Sequence, residues 1–250
     1  MISIEISWIG FLCVFGGALL GMFLRAALPE HHLSAESRDI IKLWMGLVGT
    51  ISAFVLGLLI ASAMGSYNTQ RSELTQLSTN IILLDGVLAH YGPETKEARG
   101  LLRRDVATAL DRIWLKKSSQ SSEEPAKGWT GVVYEIIKIP APQNGAQRLI
   151  QAQALSLALN LAQTRWLMFE QRSSQIPRPF LVILLFWITI IFISFGLFAR
   201  PNATLIASLF VCALSVSGAV YLILDMDQPF GGLIQVSSAP LRDALAHLGQ

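Results

Sequence analysis

Charged residues are scarce in this sequence and nearly absent from its four longest apolar segments. Only 14% of the 250 residues are Asp, Glu, Lys or Arg, and 52% are hydrophobic, whereas soluble domains carry about a quarter charged residues. Apart from Arg25 near the end of the first segment, the segments 6–28, 43–64, 180–198 and 203–224 contain no charge. Each is close to the ~20 residues that a helix needs to cross a bilayer. The sequence therefore predicts four transmembrane helices.

Motifs for catalysis or phosphate binding are also lacking. The sequence contains no GxGxxG, Walker, HExxH or GxSxG pattern, so an enzyme is disfavoured. Its two cysteines, Cys13 and Cys212, lie in apolar segments without a CxxC motif or a nearby histidine, so neither a disulfide framework nor a structural metal site is indicated. The net charge of +2 is too small to suggest a nucleic-acid partner.

The first apolar segment has the features of a retained transmembrane helix. The residues before it, MISIE, lack the basic n-region of a secretory signal, and its apolar part is too long for such a signal. His31 and His32 follow it in the short connection to the second segment. Adjacent side chains point in different directions, so we expect a surface loop there rather than a metal pair.

Polar residues collect between the second and third segments, where the apolar positions have helical spacing. No proline separates this region from the second segment, so we expect one long helix to leave the membrane and continue. Further helices are predicted over residues 93–117 and 145–175, with a flexible linker at 118–128. The helical spacing after the second segment is carried by Leu74, Leu77, Ile81, Leu84 and Leu88.

The sequence thus predicts an all-α polytopic membrane protein. Two transmembrane hairpins, within residues 1–66 and 180–224, flank a helical extramembrane domain at 67–179, and a tail follows at 225–250. Four spans place both termini and the domain on one side of the membrane. Basic residues flank the spans equally on both sides, so the positive-inside rule gives no orientation.

Small residues recur at every fourth position of the second segment, as Gly49, Ala53, Gly57, Ala61 and Gly65. Such a stripe lets membrane helices approach closely, which gains dispersion energy where lipid supplies no hydrophobic drive. We expect it to pack within the chain, to pack between subunits, or to line a narrow pore. Within the chain, the matching face would be that of Gly10, Gly16, Gly17 and Gly21 in the first segment.

The fourth segment carries a stripe of small and polar residues. Its hydroxyl groups can bond across helices, face water in a channel, or bond back to their own helix. The stripe consists of Thr204, Ser208, Cys212, Ser215 and Ala219.

Two aspartates, Asp225 and Asp227, end the fourth segment. An acid in or beside a membrane is a functional hypothesis by default, and three interpretations are open. The pair marks a solvated or capped helix end. Alternatively, it binds a hard cation such as Ca²⁺ together with backbone carbonyls freed by Gly231 and Gly232. The third interpretation is an acidic ring at the mouth of a pore that several subunits surround.

Four stretches together resemble the bestrophin-like domain family of bacterial membrane proteins. They are LPEHHLSAESRD, GLLIASAMGSYNTQ, LLDGVLAHYGPET and LDMDQPFGGLIQVSSAPLRDAL, and they extend from the first connection to the C-terminal tail. Within the last stretch, the pattern D-x-P-F-x-G-x-x-x-V-S-x-x-P-L begins at Asp227. It continues through Pro229, Phe230, Gly232, Val236, Ser237, Pro240 and Leu241.

The resemblance implies a layout similar to that of bestrophins, which are oligomeric anion channels with four membrane helices per subunit. It also implies a cytosolic domain, cytosolic termini and an acidic Ca²⁺-binding segment after the last helix. This sequence has only two acids there, Asp225 and Asp227, where bestrophins have a run.

Our leading hypothesis is an oligomeric ion channel of the bacterial inner membrane, with the second segment lining the pore. Its expected partners are membrane lipid, inorganic ions and further copies of the chain, and apart from Ca²⁺ no cofactor is expected. The alternative is a non-conducting scaffold or sensor whose helical domain binds a partner. On that hypothesis the basic stretch LLRRDVATALDRIWLKK also suits a helix lying on anionic lipid.

Overall fold

The computed structural model describes residues 2–27, 35–111, 114, 126–139, 142, 144–170, 178–199, 202–227 and 230–249. Every regular element in these residues is a helix, which confirms the all-α fold class. The helices are α1 (Ile2–Ala27), α2 (Ala35–Tyr91), α3 (Lys96–Leu110), α4 (Ala126–Lys138), α5 (Gly145–Glu170), α6 (Arg178–Phe198), α7 (Ala203–Met226) and α8 (Ala239–His247). A short 3-10 turn, Pro93–Thr95, precedes α3.

Four of these helices, α1, α2, α6 and α7, are long and apolar enough to cross a membrane, as the hydropathy of the sequence predicts. The second span is one part of the 57-residue helix α2. The prediction that this helix continues into the polar region is therefore confirmed. Each of these four helices is continuous. A break within hydrocarbon would leave backbone polar groups without hydrogen-bond partners.

The chain forms two compact units. The membrane unit comprises Met1–Ser66 and Ser174–Asp227, and the helical unit comprises Tyr67–Ser173 and Gln228–Gln250. The C-terminal segment, which the sequence suggests is a separate tail, thus groups with the helical unit. It contains α8, which hydropathy and periodicity do not reveal.

In the membrane unit, α1 packs chiefly against α6 and α7. It runs parallel to α6, because Gly10 lies beside Leu185 and Gly21 lies beside Ile193. It runs antiparallel to α7, where Ser217 donates a hydrogen bond to the carbonyl oxygen of Ser7 at 2.6 Å. This order agrees with four consecutive crossings of one membrane.

Glycines allow the backbones of α1 and α6 to approach closely. A Cβ atom at Gly21 would overlap the carbonyl group of Ile193, and one at Gly196 would overlap the carbonyl oxygen of Ala18. Gly10, Gly17 and Gly21 of α1 therefore face α6, whereas Gly16 has no atom within 4 Å of its Cβ position. The expectation that they match the small residues of α2 is wrong, because hydropathy identifies the spans without identifying which pairs meet.

The core of the helical unit is built on the inner face of α2. Leu74, Leu77, Ile81, Leu84 and Leu88 are all buried, which confirms the helical spacing seen in the sequence. They pack with buried residues of the other helices in this unit, which include Leu102, Val106, Ile136, Ala158, Leu161 and Leu241.

A buried ion pair fastens α3 to α2 within this core. Arg99 donates from Nε and Nη2 to the two carboxylate oxygens of Asp85, at 2.6 and 2.7 Å. The backbone N–H of Gly249 also donates to Asp85, at 3.2 Å. This carboxylate therefore holds the C-terminal segment as well as α3, and its donors offset the cost of burying its charge.

Two features of the helical unit differ from the prediction. The expected linker at 118–128 overlaps the start of α4 at Ala126, and the helix predicted over 93–117 begins with the 3-10 turn and α3 and has π-helical backbone at Asp111 and Trp114. Trp114 is described as well, and its Nε1 donates to the carbonyl oxygen of Val236 at 3.0 Å. Contacts of this kind, across more than a hundred residues of sequence, leave no local pattern.

The close contact between α1 and α6 gives a direct prediction. Gly21→Ala and Gly196→Ala should each destabilise the membrane unit by about 1–3 kcal/mol, because the added methyl overpacks a backbone contact. Thermal unfolding of the detergent-solubilised protein measures the loss. The control is Gly16→Ala, since no atom lies within 4 Å of a Cβ at Gly16. Equal stability of all three variants would contradict the described packing.

Candidate functional site

The small residues of α2 lie on an exposed face of the membrane unit. Ala53, Gly57, Ala61 and Gly65 are exposed, and Gly49 is partly buried. Among the described residues, no atom outside the adjoining helix turns lies within 4 Å of a Cβ position at Gly57 or Gly65. Packing within the chain therefore does not explain the stripe at these two positions.

The opposite face of this part of α2 is the one that contributes to the core. Leu59 and Ala63 are buried with residues of α1, α6 and α7. Ser52 is buried as well. Because α2 is anchored by this face, the part of the stripe from Ala53 to Gly65 is directed away from the other helices of its own unit, whereas a Cβ at Gly49 would lie 4.0 Å from Cδ1 of Ile191 in α6.

Larger apolar side chains share the exposed face with the small ones. Leu47, Ile51, Phe54 and Leu58 are exposed, and their positions alternate by four and three residues. The series continues with Ala61 and Gly65. Spacing of this kind keeps one seam of a long helix directed at a neighbouring helix. Exposed glycine and alanine within it are typical of helix contacts rather than of a lipid-facing surface.

The same spacing continues along α2 in the helical unit, where the exposed residues become polar. The exposed residues that follow this alternating spacing in the helical unit are Asn68, Ser72, Thr75, Thr79, Ile82, Gly86 and Ala89. Two hydroxyls bond to their own helix, with Thr75 Oγ1 donating to the carbonyl oxygen of Arg71 and Thr79 Oγ1 to that of Thr75, each at 3.0 Å. Each hydroxyl oxygen keeps its capacity to accept hydrogen bonds from water or from an ion's hydration shell.

The polar stripe of α7 is also largely exposed, with Thr204, Ser208, Cys212 and Ser215 at the surface and Ala219 partly buried. Ser215 Oγ donates to the carbonyl oxygen of Val211, four residues earlier in the same helix, at 2.9 Å. At this position the hydroxyl therefore bonds back to its own helix. Among the described hydroxyls of α7, Ser217 donates to another helix, at a position that the sequence pattern does not mark. Ser217 lies four residues after Ala213, and both are buried. This spacing places Ser217 on the face of α7 that packs against other helices.

Asp225 and Asp227 are buried at the end of α7, with exposed fractions of 2% and 8%. Tyr221 donates its hydroxyl hydrogen to Asp225 Oδ1 at 3.3 Å. Asp227 is the C-cap residue, and its N–H donates to the carbonyl oxygen of Ile223 at 3.2 Å. A solvated helix end is therefore wrong for both acids, and the capped end, the cation site and the acidic pore mouth stay hypotheses.

The position of these two acids is electrostatically unusual. The C-terminal end of a helix carries partial negative charge and favours cations over carboxylates, so buried acids there need hydrogen-bonding or positively charged neighbours. Ca²⁺ takes six to eight oxygen ligands. The described residues contain no cluster of three or more His, Cys, Asp or Glu side chains, so most ligands would have to be backbone or water oxygens. His31 and His32 lie outside the described residues.

Comparison with known protein families identifies the chain. The model of the bestrophin-like domain matches residues 12–241. The protein belongs to the bestrophin-like domain family. The match includes most of α1, all of α2 and the segment after α7, so the resemblance read from the four sequence stretches is confirmed. No curated protein and no solved structure matches the chain.

The exposed stripe predicts that copies of this bestrophin-like protein meet through α2. In a variant without Cys13 and Cys212, which are both exposed thiols, an Ala61→Cys substitution should give a disulfide-linked dimer on mild oxidation in membranes. Non-reducing electrophoresis detects the product. Leu12→Cys, at an exposed position of α1, is the matched control and should remain monomeric. Equal cross-linking at both positions would contradict an interface on α2.

Proposed function

We propose that the protein is an oligomeric ion channel in which the α2 helices of several copies surround a narrow pore. Gly49, Ala53, Gly57, Ala61 and Gly65 form the closely packed part of this pore lining. The observation that carries the proposal is the exposed face of α2, which is small and apolar in the membrane unit and hydroxyl-bearing in the helical unit. Family membership is consistent with a channel-like membrane protein.

The chemistry of the spans supports conduction over coupled pumping. Residues 43–64, 180–198 and 203–224 carry no charged side chain, whereas proton-coupled carriers use buried acids or bases along their path. A constriction of small and apolar residues can instead open and close by wetting and dewetting.

The proposed location is the inner membrane of a bacterium, with the helical unit and both termini in the cytoplasm. This orientation follows the kinship with bestrophins, because the charges near the spans do not discriminate. Membrane lipid and inorganic ions are then the partners of the chain, together with its own copies, and no role in nucleic-acid binding is proposed.

Asp225 and Asp227 are proposed as a cation site or an acidic group near one mouth of the pore. Buried carboxylates at a helix C-terminus gain most from a divalent ion, so Ca²⁺ should raise the melting temperature of the purified protein. In Asp225→Asn/Asp227→Asn the Ca²⁺-dependent rise should disappear. Mg²⁺ and an exposed-acid variant, Asp243→Asn, are the controls. If millimolar Ca²⁺ does not change the melting temperature of the wild type, the proposed cation site is wrong.

The conduction proposal is tested by ion flux into liposomes that contain the purified protein, with salts chosen to separate cations from anions. Wild type should give sustained, selective flux. Gly57→Leu should abolish it, because four extra carbons on each copy would fill a narrow pore. Gly218→Leu is the matched control, since Gly218 is exposed on α7 and has no atom within 4 Å of its Cβ position.

The result of this assay also decides between the channel and a scaffold. Both variants must retain the oligomeric state of the wild type, measured by light scattering in detergent. Absence of flux in the wild type across Ca²⁺, pH and voltage conditions would overturn the channel. The alternative, a non-conducting scaffold whose helical unit binds a partner, would then become the leading hypothesis.

A further inference from the structure

Asp105 is an acidic residue on the inner side of α3 with an unusual environment. It lies seven residues after Ala98 and four before Ala109, both of which are buried, so its side chain is on the face that α3 turns to the core. Its carboxylate is half-buried, but Oδ2 is fully enclosed and accepts no hydrogen bond from the described residues. Asp85, by contrast, accepts from three donors.

The charged group that acts on this carboxylate is Arg165 of α5. Arg165 lies four residues after Leu161 and three before Met168, both buried, and thus on the core side of α5. Its positive charge favours the ionised form of Asp105, but burial has the larger effect. Desolvation raises the pKa of Asp105 to about 6, and Arg165 opposes this rise.

Other ionisable groups on the elements packed against α3, which include Glu73 and Asp85 of α2, do not contribute to the shifted pKa of Asp105. On α4, Lys138 donates to Glu135 at 2.7 Å. On α8, the ring of His247 bonds to the backbone carbonyl oxygen of Asp243, and Arg242 and Asp243 are the charged side chains of this helix. Glu94 lies in the turn before α3. Arg165 is the only one of these groups that contributes to the shifted pKa of Asp105.

We propose that Asp105 is a proton-operated switch in the helical unit. When ionised it leaves a buried carboxylate oxygen without a donor, which weakens the core that α3 shares with α5. When protonated it removes that cost, and the unit tightens. The inference rests on the helical unit alone and is independent of the proposed channel.

The direction of the pH effect follows from linkage. Because burial raises the pKa of Asp105 above its usual 3.8, the folded state binds this proton more strongly than the unfolded state. The resulting stabilisation is complete below pH ~4 and is lost as the pH rises through about 6. Most carboxylates in ion pairs have the opposite effect and cause acid denaturation.

Hydrogen exchange on the full-length protein in detergent tests the switch. After correction for intrinsic exchange rates, protection of the amides of α3 and α5 should rise roughly three- to tenfold between pH 7.5 and pH 5, with the lower figure allowing for partial exposure of the carboxyl. Asp105→Asn should show raised protection at pH 7.5 and lose this rise. Asp111→Asn is the matched control at an exposed acid that caps the same helix, and it should respond as the wild type does.

Three results would overturn the proposal. The first is an unchanged pH response in Asp105→Asn. The second is reduced protection or misfolding of that variant at pH 7.5, because it would show that the ionised carboxylate stabilises the core. The third concerns Arg165→Gln, which should move the midpoint of the wild-type response to higher pH. A midpoint that stays in place or falls would contradict the described electrostatics.

Discussion

The 57-residue helix α2 supplies one buried face to each of the two units. In a bilayer every backbone polar group must find its partner inside the helix, which favours an unbroken helix through the membrane-spanning part of α2. Leu59 and Ala63 anchor it in the membrane unit, and Leu74 to Leu88 carry the core of the helical unit. The face opposite Leu59 and Ala63 is therefore the exposed face of α2 in the membrane unit. The proposed pore depends on that face.

The contacts of α1 explain why this face is available. Gly21 and Gly196 allow α1 and α6 to pack with their backbones almost touching, and Ser217 ties α7 to α1. The packing needs of α1 are thus met without the small residues of α2. Exposed glycine loses helix-forming free energy, and exposed glycine and alanine both forgo side-chain contacts without an evident gain inside one chain. A second copy of α2 would restore those contacts.

The parts of the fold that could be predicted are those that depend on residues close together in the sequence. Apolar segments of membrane length predicted the four spans. The spacing of Leu74, Ile81 and Leu88 predicted the inner face of α2. Both signals are local, because hydropathy and helical periodicity are read from neighbouring residues. The partner of the α1 glycines was not predictable, since several helices carried small residues. The burial of Asp225 and Asp227 was missed for a similar reason. A charge at a helix end indicates solvent unless another part of the chain covers it, and that depends on tertiary packing.

The helical unit shows how two similar acids acquire different roles. Asp85 and Asp105 both lie on the core side of a helix, but Asp85 accepts from Arg99 and from the backbone of Gly249. Oδ2 of Asp105 has no donor among the described residues. The first arrangement stabilises the charge and fastens the C-terminal segment. The second arrangement makes the charge of Asp105 depend on pH. The sequence alone does not distinguish the two arrangements.

The central claim is that the exposed face of α2 lines a water-filled path. Its most direct test is a cysteine scan of residues 68–89 in a variant without native cysteines, with flux measured before and after a charged thiol reagent. If α2 lines the pore, the reagent should block flux at Asn68, Ser72, Thr75, Thr79 and Ile82 and have no effect at the buried positions Leu74, Leu77 and Ile81. Block without this alternation of three and four residues, or no block at any position, would contradict it.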